Sequence, residues 1–177
     1  NGVVDGGPTL DALVAAISAA GGPAYAYRQI NPVNNADGGE PGGNIRVGFI
    51  FRTDRGLSFV DRPGGTATTA TGVVAGPDGA ELTFSPGRID PTNPAFTASR
   101  KPLVGEFRWR GQTLFAIVNH FNSKGGDDPL FGRFQPPVRV TETQRHAQAQ
   151  VVNAFVDAIL AFDPNAYVLP LGDFNDF

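Results

Sequence analysis

The 177-residue sequence contains no cysteine and no methionine. Without cysteine, the chain cannot form a disulfide-bonded scaffold, a thiolate metal site or a cysteine nucleophile. It has no stretch near the roughly 20 apolar residues that a membrane-spanning helix requires. No basic segment followed by an apolar one opens the chain, as it would in a signal peptide. We therefore expect no membrane span, and the sequence indicates no protein partner.

The composition is that of a globular chain rich in loops. The 23 glycines and 15 prolines make up about a fifth of the residues, below the roughly 25–30% that is typical of low-complexity disorder. A chain of this length forms one domain or part of a larger one. The net charge is −3, yet residues 100–145 carry eight basic and four acidic side chains. Such a segment can favour a polyanionic substrate, and it is also what an ordinary solvated surface contains.

Hydrophobic patterning predicts a mixed α/β fold in which strands outnumber helices. A helix over residues 9–20 is predicted to begin with Thr9 as its N-cap. A second helix is predicted to follow Thr141 and Gln144, which match a capping box, and to end at Phe162. The remaining predicted elements are loops over 31–44 and 119–140, and strands over 24–30, 45–51, 57–60, 73–74, 103–109, 113–118 and 166–171.

Polar residues stand where apolar elements end or begin, a common location for sites in layered α/β folds. His120 follows one apolar strand, and Asp173 and Asn175 follow another. Gln144 and Arg145 begin the helix between these strands. Because a helical crossover joins neighbouring parallel strands, we expect the imidazole and the carboxylate to emerge at the same edge of one sheet.

These side chains fit metal-assisted hydrolysis of a phosphodiester. Carboxylate and carboxamide oxygens are ligands for a hard cation such as Mg²⁺, which keeps several waters and leaves room for substrate phosphate. An imidazole can donate to a phosphoryl oxygen or transfer a proton. Each residue also has a structural interpretation. His120 would be a hydrogen-bonded structural residue, Asp173 and Asn175 would organise a turn, and Arg145 would be a solvated residue of the first helical turn.

Three motifs contain these residues. They are Leu-Gly-Asp-Phe-Asn-Asp at 171–176, Gln-Arg-His-Ala-Gln at 144–148 and Phe-Ala-Ile-Val-Asn-His-Phe-Asn-Ser-Lys-Gly-Gly at 115–126. Together they resemble the endonuclease/exonuclease/phosphatase superfamily, in its secreted bacterial nuclease branch. Two upstream segments, 42–52 and 99–107, are similar to the same branch. The resemblance runs through most of the chain and is weakest over 53–98.

The resemblance implies a four-layer α/β/β/α sandwich of two packed mixed β-sheets flanked by helices, with residues 1–177 as a single, partial domain. It also implies phosphodiester hydrolysis with Mg²⁺, Mn²⁺ or Ca²⁺. Asp173 corresponds to the aspartate that lies at the metal and orients or activates the attacking water. Asn175 corresponds to the asparagine that holds the scissile phosphate, and His120 to the histidine that contacts it and assists the leaving group. Asn122 and Arg145 are implied to contact substrate or to shape the site.

The sequence departs from the family pattern in its metal-binding and late catalytic groups. The family's metal-binding Glu would fall just before Asn1, and its late Asp and final His would follow Phe177, so we expect a chain that is cut at both ends. The strand over 45–51 also lacks the Glu that partners the histidine in pancreatic-type deoxyribonucleases. Lost flanking strands would leave open sheet edges and lower the stability.

We therefore expect the intact protein to be an extracellular endonuclease that acts on DNA or RNA, and residues 1–177 to be inactive alone. One alternative is a lipid or inositol phosphodiesterase of the same superfamily. Another is a non-catalytic binding module that kept the fold.

Overall fold

The computed structural model describes residues 2–38 and 43–176. This part of the chain contains two α-helices and nine β-strands, so the predicted mixed α/β class is confirmed. Within these residues, neither helix is long and apolar enough to cross a lipid bilayer. The helices are α1 (Gly7–Ala19) and α2 (Glu142–Phe162), and the strands are β1 (Tyr25–Gln29), β2 (Gly48–Arg52), β3 (Leu57–Val60), β4 (Val73–Gly76), β5 (Gly79–Leu82), β6 (Gly87–Arg88), β7 (Leu103–Trp109), β8 (Gln112–His120) and β9 (Tyr167–Asp173).

The largest sheet has the strand order β3–β7–β8–β9, and β6 also pairs with β7. β7 and β8 form an antiparallel hairpin, and its two turn residues, Arg110 and Gly111, have φ angles of 51° and 80°. Positive φ at both positions matches the twist of the paired strands. β8 and β9 are parallel, and α2 is the crossover between them, as the sequence predicts. The carboxyl ends of β8 and β9 therefore meet at one edge of the sheet.

Two hydrophobic clusters cover the two faces of this sheet. On one face, Phe115 and Ile117 of β8 pack with Val152 and Ile159 of α2. On the other face, Phe49 and Phe51 of β2 pack in a cluster that also contains Ile30, Leu103, Phe107 and Ala116. The ring of Phe107 meets the Phe49, Phe51 and Phe59 rings edge-on, with centroids 4.9–5.4 Å apart.

Helix α1 lies against the face of β1 that points away from this core. The Tyr27 hydroxyl donates to Asp11 Oδ1 of α1 at 2.8 Å, whereas the adjacent Ala26 packs into the core cluster. The prediction that Thr9 is the N-cap is wrong. The helix begins at Gly7 with Pro8 in its first turn, and Gly6 occupies the cap position without a side-chain hydrogen bond. Proline at this position costs the helix no hydrogen bond, since the first amides have no partner within the helix.

The capping box predicted for α2 is also wrong. Thr141 does occupy the N-cap position, but its backbone is helical and its side chain makes no capping hydrogen bond, because an N-cap needs an extended backbone to reach the third amide. The Thr141 hydroxyl instead donates to Asp127 Oδ2 at 2.7 Å. Gln144 Nε2 donates to the carbonyl oxygens of Ala95 and Thr97. Both side chains have partners that are distant in sequence.

Strand positions agree with prediction except at several boundaries. The strand predicted over 45–51 begins at Gly48, and strands β5 and β6 were not predicted. Part of the loop predicted over 31–44 falls on residues 39–42, which lie outside the described residues. The strand predicted over 166–171 is apolar in sequence and corresponds to β9, but its Leu169 and Leu171 are 49% and 36% exposed. Among the described strands β9 pairs with β8 alone. The β1–β2 pair covers β8 but does not extend over the face of β9 that carries Leu169 and Leu171.

Candidate active site

His120 and Asp173 are paired residues at the carboxyl ends of β8 and β9. His120 shares a strand face with Ala116 and Val118, which pack towards the β1–β2 pair, and Asp173 projects on the same side because paired residues share a face. Imidazole Nε2 lies 3.9 Å from carboxylate Oδ2, and the two side chains are 31% and 63% exposed. The prediction that these two groups meet at one sheet edge is therefore confirmed.

Arg100 adds a buried cation to this pair. Its side chain is 4% exposed, its Nη2 donates to the carbonyl oxygen of Phe121, and its Nε has no hydrogen-bond partner within the described part of the chain. Burial lowers the pKa of Arg100, and the charge of Asp173 acts in the opposite direction. A buried guanidinium with an unmet donor is suited to an anionic ligand.

Arg100 was not predicted as a site residue. It lies in segment 99–107, one of the segments on which the resemblance predicted from the sequence was based, and that segment was the signal that could have identified it.

His120 is held mainly in its neutral form at neutral pH. Its pKa lies below the usual 6.5, first because the ring is partly buried and second because Arg100 repels a proton on the imidazole. Asp173 raises this pKa but does not reverse the shift. A neutral imidazole has one N–H donor and one nitrogen acceptor, so it can donate to a phosphoryl oxygen or accept a proton from water.

Asn175 is fixed beside the pair by a turn. Its backbone N–H donates to Asp173 Oδ1 at 2.9 Å, and its Nδ2 donates to the carbonyl oxygen of Phe121 at 3.0 Å. Gly172 has a φ of 119°, and a Cβ there would lie 2.1 Å from the backbone oxygen of Asn119. The chain can therefore bring Asp173 against β8 only with glycine at this position. The turn-forming interpretation of Asp173 and Asn175 holds, and it also orients both side chains.

Arg145 is not a solvated residue of the first helical turn. Its side chain is 5% exposed, and its Nη2 lies 2.9 Å from Asp127 Oδ2. Its Nη1 donates to the Thr141 hydroxyl and to the carbonyl oxygen of Ser123. These contacts join the loop after β8 to the start of α2, so Arg145 shapes the surroundings of the site. Direct contact of Arg145 with substrate stays a prediction.

Asn122, the other predicted substrate residue, is half-buried, and its backbone N–H donates to Gln148 Oε1 at 2.8 Å. Gln148 is fully buried, and its Nε2 donates to Ala95 O and Ser99 Oγ at 3.0 and 2.9 Å. Gln148 therefore joins the residues after His120 to the segment before Arg100. It was not predicted as a site residue, although a polar side chain on the apolar face of a helix signals a buried hydrogen-bond network.

A cavity of about 590 Å³ adjoins the site at the first turns of α2. Phe121 and Phe174 form part of its wall, with their rings edge-on and centroids 5.3 Å apart. The other lining side chains include Glu142, Arg145, His146 and Asp176. Neither His120 nor Asp173 is among the lining residues, so the cavity neighbours the pair only through Phe121 and Phe174, the residues that follow them in sequence.

Among residues 2–38 and 43–176, no group of three or more histidine, aspartate or glutamate side chains is arranged to hold a metal ion. At the sheet edge, Asp173 offers one carboxylate. Mg²⁺ commonly binds through one or two carboxylates together with water and substrate phosphate, so this donor fits a partly hydrated cation and not an all-protein metal cage. Comparison of the chain with protein-family models, curated proteins and solved structures found no match.

Proposed function

We propose that this chain carries a phosphodiester-hydrolysing site of the endonuclease/exonuclease/phosphatase type, and that the intact protein is a metal-dependent nuclease. The observation that carries the proposal is the placement of His120 beside Asp173, with the buried Arg100 close enough to act electrostatically on both. An imidazole, a carboxylate and a cation at one accessible edge are the groups that such a reaction uses.

The four-layer sandwich is part of this proposal. It is supported by the succession of α2, the five-stranded sheet, the β1–β2 pair and α1 along one direction through the molecule. The exposed Leu169 and Leu171 of β9 lie on the face that the second sheet of such a sandwich would cover.

Each side chain has a proposed role. Asp173 accepts a hydrogen bond from the attacking water and so orients it, and neutral His120 donates an N–H to a phosphoryl oxygen near the leaving group. Asn175 Nδ2 has two hydrogens, of which one goes to Phe121 O and the other can bind the scissile phosphate. Arg100 offsets the negative charge that the phosphate brings to the edge.

When bound, Mg²⁺, Mn²⁺ or Ca²⁺ would neutralise charge on the phosphate, and Asp173 is the residue we propose to hold it. The metal-binding Glu and the late Asp and His that the family resemblance implies are further requirements for turnover. We therefore expect residues 1–177 to bind a phosphodiester. The same resemblance supports secretion of the intact protein and DNA or RNA as its substrate.

Binding can be tested by NMR because the chain has two histidines, His120 and His146. Titration with Mg²⁺ and thymidylyl-thymidine should shift the imidazole signals of His120 and leave those of His146 in place. Asp173→Asn should weaken the response by about tenfold or more, the change expected for loss of a charged contact. An unchanged His120 signal at millimolar ligand would contradict the proposal.

Turnover is tested with supercoiled plasmid and with sphingomyelin, each in the presence of Mg²⁺. Robust nicking of plasmid by residues 1–177 would contradict the expected inactivity while supporting the site. Hydrolysis of sphingomyelin in preference to plasmid would replace the nuclease with a lipid phosphodiesterase.

A further inference from the structure

The loop between β8 and α2 presents apolar side chains to solvent. Phe131 is 94% exposed and Phe134 is 51% exposed, and Leu130, Val138 and Val140 are also exposed. Exposed apolar clusters of this kind usually mark a binding surface. The segment Leu130–Phe134 is called the aromatic tip below.

Hydrogen bonds at the base of the loop hold the aromatic tip in place. Asp127 accepts from the Thr141 N–H at 2.8 Å and pairs with Arg145 at 2.9 Å. Two hydrogen bonds between Asp128 and Val138 close the loop. The Val138 N–H donates to Asp128 Oδ2 at 3.0 Å, and the Asp128 N–H donates to the Val138 carbonyl oxygen at 2.8 Å. The two loop carboxylates are thus engaged within the loop and its base.

The aromatic tip itself carries a cation. The guanidinium of Arg133 lies over the ring of Phe134, 4.5 Å from its centroid. The Arg133 guanidinium stacked on the Phe134 ring, with the exposed Phe131 ring three residues before Phe134, forms a surface of π faces and positive charge. Nucleic-acid bases stack on aromatic rings and on Arg, and phosphates are attracted by the charge.

We propose that the aromatic tip binds single-stranded nucleic acid by stacking unpaired bases on Phe131 and Phe134, with Arg133 at a phosphate. This inference rests on the proposed function for its class of substrate. Arg145, which holds the loop base, also bonds Ser123 O, three residues after His120. A strand bound at the tip is therefore held at a set position relative to the His120–Asp173 edge.

A lipid surface fits this loop less well because the loop carries little net charge. Residues 124–140 contain three basic and two acidic side chains, and Arg139 is paired with Glu142 at 2.9 Å. Segments that bind anionic membranes typically carry about four to eight basic residues. The observations therefore favour base stacking, for which two rings and one guanidinium suffice.

The test is fluorescence anisotropy with a labelled oligothymidylate in EDTA, which prevents hydrolysis. Phe131→Ala and Phe134→Ala should each weaken binding about tenfold, as expected for loss of one stacked base. Arg133→Glu should weaken binding and reduce its salt dependence. Duplex DNA should bind at least about tenfold more weakly, since its bases are already stacked.

Trp109→Ala is the matched control. Trp109 is also exposed, and Arg110 lies over its ring at 4.6 Å, but this pair is at the opposite end of the β7–β8 hairpin from His120. Trp109→Ala should therefore leave oligothymidylate binding unchanged. Circular dichroism of each variant checks the fold, and the exposed position of Phe131 predicts no loss of stability.

Three outcomes would overturn the inference: no oligothymidylate binding, equal losses for the tip and Trp109 variants, or Phe131-dependent binding to phosphatidylserine vesicles in place of DNA. Its fate is separable from that of the proposed function. Asp173→Asn should keep oligothymidylate binding in EDTA while weakening the response of the His120 signals to thymidylyl-thymidine. If the unaltered chain binds oligothymidylate at the aromatic tip but its His120 signals do not respond to thymidylyl-thymidine, the inference is retained and the proposed function is refuted. If the His120 signals respond but oligothymidylate does not bind at the tip, the proposed function is retained and the inference is refuted.

Discussion

The hydrogen bonds of Gln148 lead to the sharpest test of how α2 supports the site. Gln148→Leu keeps the size of the side chain and removes its three hydrogen bonds. Ala95 O keeps a partner in Gln144 Nε2 at 3.1 Å, so the groups left without the bond shown here are the Asn122 N–H and the Ser99 hydroxyl.

A buried polar group without a partner costs about 1–3 kcal/mol. Asn122 is half-buried and water can reach part of it, whereas Ser99 is fully buried, so the two together should cost about 3 kcal/mol. We therefore expect Gln148→Leu to lower the free energy of unfolding by about 3 kcal/mol, measured by urea denaturation followed by circular dichroism.

Gln150→Leu is the matched control, because Gln150 lies on the exposed side of the same helix. It should change the free energy of unfolding by less than about 0.5 kcal/mol. The His120 NMR signals should move in Gln148→Leu and stay in place in Gln150→Leu, since Gln148 holds the residues that follow His120. A loss below about 1 kcal/mol for Gln148→Leu, or equal losses for the two variants, would refute this account of the network.

Two further predictions concern the loop base and the backbone at the site. The pKa of Asp127 is lowered to about 2, mainly by the hydrogen bond from the Thr141 N–H. Desolvation acts in the opposite direction, and the Thr141 hydroxyl and Arg145 lower the pKa further. Because this pKa is depressed on folding, the stability it contributes is present above pH ~4 and is lost as the pH falls towards 2. The difference in melting temperature between the unaltered chain and Asp127→Asn should therefore be clear at pH 7 and shrink as the pH falls from about 4 to about 2, and a constant difference would contradict the assignment. Gly172→Ala should destabilise more than Gly56→Ala in thermal melting. Both glycines have positive φ, but nothing lies within 4 Å of a Cβ at Gly56; equal losses would mean that the close approach to Asn119 is unimportant.

Much of the fold and the central pair of the site followed from local sequence patterns. β3 and β7 have the predicted bounds, since short apolar runs between turn residues have few alternatives to a strand. The meeting of His120 and Asp173 followed from the crossover rule, because a helix between two apolar strands makes those strands parallel and aligns their ends. Their roles in catalysis stay predictions.

The tertiary structure alone decided which side chains surround that pair. Arg100 is buried beside His120 although 20 residues separate them. Gln144 bonds the carbonyls of Ala95 and Thr97 instead of capping its own helix. The sequence by itself determined the elements and the shared edge, because those depend on neighbouring residues. The partners of buried polar groups depend on which distant segments fold against them, and no local pattern carries that information.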